Sequence, residues 1–177
     1  MYAMRVSIVR SLSILVPAFT ALGAAAGASG LPLDHANPPR MVSVEHAEIL
    51  MPAADDGVAK AFLIIWNGTE TQTSLASVKS DAFASATIMR TLFTSDGNAA
   101  EPVDGPLAIP AHAELQMRAG GIHMILADPR AAITESDSLR LTLVFDDGRE
   151  LEVSARVVPA PDLLTRHRHG GDDRGLD

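Results

Sequence analysis

Short runs of apolar and β-branched residues, separated by turn signals and never extended into a 3.6-residue stripe, fill the chain from Val42 to Val158. That punctuation predicts an all-β protein. Candidate strands are Ser43 to Leu50, Ala59 to Trp66, Thr73 to Lys79, Ala86 to Phe93, Ala113 to Arg118, Ile122 to Ala127, Leu139 to Phe145 and Leu151 to Val158. Eight strands in a segment of this length suit a β-sandwich. The unbroken apolar run Ala61 to Trp66 predicts a central strand covered on both faces, whereas the last two strands alternate. They flank Asp147-Gly148, one of four Asp-Gly pairs, the others being at 56, 96 and 104. Each pair offers the positive-φ residue that tight turns need. Ala131 to Ser136 is undecided between a helical turn and a loop.

The polar and apolar pattern changes outside this block. Arg5 and Arg10 precede an apolar run from Leu12 to Ala26 that ends in small residues, which predicts a secretory signal peptide over residues 1–28. The run falls short of a membrane span, so no span is expected after cleavage. Residues 29–41 read as an N-terminal extension with three prolines, 42–158 as the sandwich domain and 159–177 as a flexible, His-containing tail. The expected destination is the periplasm or the exterior.

Composition narrows the chemistry. The net charge is −8, which disfavours nucleic acid as a partner and favours cations. There is no cysteine, so no disulfide framework and no thiolate ligand exist. A metal site must use Met, His or carboxylate. No Gly-x-Ser-x-Gly elbow, phosphate loop or His-Glu-x-x-His helix is present, and an enzyme is not expected. Asn67-Gly68-Thr69 matches a glycosylation sequon but is better explained as turn chemistry.

Gly120-Gly121-Ile122-His123-Met124 places an imidazole beside a thioether, donors that suit Cu(I). Alternation along a strand puts 123 and 125 on one face and 124 on the other, so Met124 is expected to face the core and needs a bulge to act as a ligand. In the tail, His167 and His169 stand two apart, a pattern able to bind Cu(II) or Zn, although Arg166 and Arg168 bracket the pair. His46 is placed on a solvated strand face with Val44 and Glu48, His112 in a loop, and His35 in the extension.

From Val44 to Val158 the chain resembles the periplasmic copper chaperone family PCu(A)C. The resemblance runs in order through Ala61-Phe62-Leu63-Ile64-Ile65-Trp66-Asn67, Leu75 with Ser77, Pro102-Val103-Asp104-Gly105, Ile109-Pro110-Ala111 and Gly120-Gly121-Ile122-His123-Met124-Ile125-Leu126. It implies a cupredoxin-like Greek-key sandwich that binds Cu(I) and delivers it toward the CuA centre of cytochrome c oxidase, with an oxidase subunit or another copper carrier as partner. The family's ligands are a His, a Met and a final His-x-Met. Here Met89 stands at the first His, Ala100 at the first Met, His123 at the second His and Ile125 at the last Met. A depleted site of His123 and Met89, with Met124 or tail histidines in support, is the expectation. The alternative is a metal-free sandwich serving as a protein-interaction module.

Overall fold

A computed structural model describes residues 37–51, 57–95, 97–135 and 137–165. The described chain forms ten strands: β1 (Val42–Leu50), β2 (Val58–Asn67), β3 (Thr73–Ser80), β4 (Phe83–Thr94), β5 (Gly97–Pro102), β6 (Leu107–Ile109), β7 (Ala113–Gln116), β8 (Ile122–Pro129), β9 (Ser138–Phe145) and β10 (Glu150–Val158). All eight expected strands are present. The two additional ones, β5 and β6, are short edge strands in segments rich in Gly, Asn and Pro, residues that argue against strands when read locally. Residues 131–135 form no helix.

Hydrogen bonding runs in the order β5-β4-β8-β2-β1-β10-β9-β3-β6, with β7 pairing β2 beyond the end of β8. Neighbours are antiparallel except β1 and β10, which run parallel and join the two ends of the domain. Leu63, Ile65, Met124 and Leu126 from one half pack with Leu75, Leu141, Leu143 and Val153 from the other in a single buried cluster. Each such side chain contributes roughly 1.5–3 kcal/mol over leaving it in water. The two halves thus make a β-sandwich with one core.

β2 is buried along both faces, as its unbroken apolar run predicts. Leu63 and Ile65 point into the core, while Phe62 and Ile64 are only 7 % exposed on the opposite, outer face. A register shift between Val44 and His46 inserts Glu45 as a bulge in β1. Val44 therefore joins the core, and His46 lies across from Ile64 on the outer face. The sequence expectation that Val44 shares the face of His46 fails because a bulge resets the two-residue period.

Asn67 ends β2 with no exposure. Its Nδ2 donates to the carbonyls of Thr71 at 2.9 Å, Ile109 at 2.9 Å and Pro110 at 3.0 Å, and its Oδ1 accepts from Thr69 N at 3.2 Å and Thr69 Oγ1 at 2.7 Å. The sequon is thus a buried Asx turn, with no amide free for a glycan. Gly68 is required beside it, since a Cβ there would lie 1.8 Å from the carbonyl oxygen of Pro39. That oxygen accepts from Trp66 Nε1 at 3.0 Å, so the end of the N-terminal extension is tied to the sandwich.

Among the described residues no helix is long and apolar enough to cross a membrane. The segment read as signal peptide lies outside the described residues, and so do His35, His167 and His169.

Candidate functional site

β4 and β8 pair antiparallel with Met89 opposite His123 and Thr87 opposite Ile125, and β4 pairs β5 with Thr91 opposite Ala100. Residues directly opposite each other project to the same face, as do alternate residues along a strand. Met89, Ala100, His123 and Ile125 therefore share one face of a three-stranded patch. It is the outer face, because Met124 and Leu126 between them enter the core.

The Gly120-Gly121 turn positions the imidazole. Gly120 has φ +75°, a conformation that glycine adopts without strain. Arg118 N donates to Ile122 O at 2.7 Å and Gly121 N to Arg118 O at 3.1 Å, closing the turn. The Gly121 carbonyl lies 3.1 Å from His123 Nδ1 and also accepts from Thr91 N and Thr91 Oγ1, each at 3.2 Å. A carbonyl only accepts, so Nδ1 carries the proton and Nε2 of the neutral ring keeps its lone pair. A ligand histidine needs that arrangement.

His123 is 6 % exposed, yet it lines an open cavity of about 380 Å³ together with Leu50, Lys60, Phe62, Ala100 and Gly120. The patch offers two soft donors, the ring nitrogen of His123 and the thioether of Met89. Ala100 and Ile125 contribute hydrocarbon. Met124 has no exposure and lies in the core on the face away from His123, so it is a core residue and not a ligand in support of the site. Its direction is the one strand alternation predicts; no bulge in β8 re-aims it. Among the described residues no group of three or more His, Asp or Glu gathers in a way that could hold a metal.

The two other described histidines lie elsewhere. His112 sits in the turn before β7 at φ +54°, and its Nε2 is 3.2 Å from Glu70 Oε2. His46 is on the outer face of β1. Asp147 is held in the β9–β10 turn, where the backbone N–H and guanidinium of Arg149 lower its pKa.

Sequence reasoning missed Thr91 and a second outer-face group around Glu48. Thr91 was recoverable, since it lies two residues from Met89 on the same strand. Glu48 was not. It is 6 % exposed and accepts from Thr165 N at 2.9 Å, Thr165 Oγ1 at 2.8 Å and Arg156 Nη2 at 2.6 Å. Burial opposes its charge, but these donors outweigh that and hold the carboxyl below its ordinary range. Partners 108 and 117 residues away leave no local signal.

A family model described as "Putative lipoprotein LpqE-like" matches residues 42–157. Among solved structures, the apo PCuAC domain from PmoF1 matches with a TM-score of 0.58 at 24% identity, covering 67% of this chain and 94% of that one. Apo-DR1885 from Deinococcus radiodurans matches with a TM-score of 0.54 at 26% identity over 85% of this chain and 95% of that one. The CuI form of DR1885 matches with a TM-score of 0.52 at 22% identity over 75% and 83%. These likenesses establish a cupredoxin-like sandwich of the PCuAC type. A curated relative, "Uncharacterized protein RP573" from Rickettsia prowazekii (strain Madrid E), is 26% identical over 83 residues, 47% of this chain and 46% of its own. The chain thus spans about half the length of that relative.

Proposed function

The chain belongs to the LpqE-like family, within the PCuAC-like group, and from that premise we propose that it is an exported, non-enzymatic copper-binding protein that holds Cu(I) weakly through His123 and Met89. The observation that carries this reading is the cross-strand register that sets Met89 against His123 on the outer face, with Nε2 of the imidazole left as a donor. The solved relative DR1885 has a CuI form, which supports copper as the cargo.

Imidazole and thioether suit Cu(I) better than hard divalent cations. Two donors hold the ion less tightly than a full His and Met set, and an incompletely coordinated ion is open to attack by a receiving ligand. Weak, exchangeable holding suits a carrier that passes copper toward a CuA centre, an oxidase subunit or another carrier. His167 and His169 are proposed as auxiliary donors, including for Cu(II).

A second reading is favoured by Ala100 facing the His123 cavity and by the low exposure of the ring: a metal-free scaffold that binds a protein. Titration of purified protein with Cu(I) against a chelating competitor separates the two. Copper retained at micromolar competitor, weakened by about tenfold or more in His123→Ala and in Met89→Leu, is expected. Absence of retained copper overturns the copper reading, and a copper-dependent rise in Tm abolished by His123→Ala overturns the metal-free one.

A further inference from the structure

After Val158 the chain turns back over the outer face instead of leaving the domain. A single 3-10 turn, Pro161–Leu163, is followed by Leu164 and Thr165. Pro161 and Leu164 wall the cavity that holds His123, and they also wall an adjoining one of about 330 Å³ that contains Glu48 and Arg118. Phe62 and Ala119 line both cavities. The segment 159–165 is thus a strap laid between two halves of one outer groove.

The strap has little apolar seating of its own. Leu163 is 51% exposed, and no residue of the 3-10 turn is buried. What fastens it is Glu48, whose carboxylate takes both the backbone N–H and the hydroxyl of Thr165. Arg156 Nη2 reinforces the end, lying 2.6 Å from Glu48 Oε1 and 3.4 Å from Leu163 O. A buried carboxylate is costly without donors, and two of the three donors to Glu48 belong to the strap.

We propose that residues 159–165 form a strap, latched by Glu48, that controls access to the cavity around His123. With the strap down, Pro161 and Leu164 complete the cavity wall. With it released, the His123 side of the groove opens for entry or exit of an ion or its receiver. The strap depends on one carboxylate and little buried surface, so it belongs to the segments that open well before the domain unfolds. The proposal concerns the same site as the copper reading, but its test needs no copper.

The test is carbethoxylation of the metal-free full-length protein by diethyl pyrocarbonate, followed by mass spectrometry of individual histidine peptides. His112, whose side chain is 53% exposed, is the internal reference. Glu48→Gln removes the charge of the latch. Leu164→Ser removes a wall of the cavity without altering the sandwich, so its result stands even where Glu48→Gln lowers stability. Expected is a His123 rate at least about fivefold above wild type in both variants, with His112 unchanged. A His123 rate equal to wild type in Leu164→Ser overturns the strap. A failure of copper binding in the competition titration leaves these rates as they are, so the two ideas fail separately.

Discussion

The residue that most limits the candidate site is one that lacks a donor. Ala100 faces the His123 cavity from β5, at the position where the resemblance to the copper chaperones places a thioether. Ala100→Met supplies a third soft ligand on the same face, and Cu(I) affinity is expected to rise by about tenfold or more, measured by the same competition titration. Asn67 is the structural counterpart. Five hydrogen bonds converge on its buried amide, and truncation leaves the carbonyls of Ile109 and Pro110 without that donor. Asn67→Ala is expected to cost about 2–3 kcal/mol, read from denaturant midpoints at unchanged slope. His112 carries a backbone cost instead: its φ of +54° is one that glycine accepts more readily.

At the scale of elements, most of the sandwich was legible. Apolar alternation and the Asp-Gly turns point to the eight expected strands, and two-residue periodicity alone sends Met124 inward and His123 outward. Strand β5 was not legible, because Gly97-Asn98-Ala99-Ala100-Glu101-Pro102 earns its pairing from β4 rather than from its own propensity. Neither was the strap. A Pro-containing, charged segment reads as tail, and it is chiefly the carboxylate of Glu48, brought near by the pairing of β1 with β10, that gives its first residues a place.

The latch is expected to depend on pH. Arg156 from β10 hydrogen-bonds Glu48, Arg118 lines the same cavity, and His46 lies two residues back on the same strand face. The folded-state pKa of Glu48 is below its unfolded value of 4.5, so the stabilisation is fully present above that value and is lost as pH falls through the folded one. The amide proton shift of Thr165, followed by NMR, is expected to titrate with a midpoint below 4.5. A shift that stays flat through the acid range would separate Thr165 from Glu48.

The whole molecule is organised by distant pairings. Glu48 and Arg156, 108 residues apart, are partners in the parallel β1–β10 ladder as well as in the latch. Loop closure over such separations slows folding, and refolding in milliseconds to seconds is expected from stopped-flow Trp66 fluorescence. Trp66 is a suitable reporter, being the sole tryptophan of the chain and hydrogen-bonded to Pro39. Edge strands are the weak points: β5 is exposed along nearly its whole length, and its amides are expected to exchange with deuterium before those of β2.

The parallel junction of β1 and β10 also makes assembly a terminal event. A chain made or threaded from its N-terminus holds β1 without its β10 neighbour until residues 150–158 arrive. Until then the nascent polypeptide has an open seam and no finished barrier to passing through a narrow pore. For an exported carrier, the role proposed above, that ordering is an advantage, since nothing has to pull apart a structure that has not yet been able to shut.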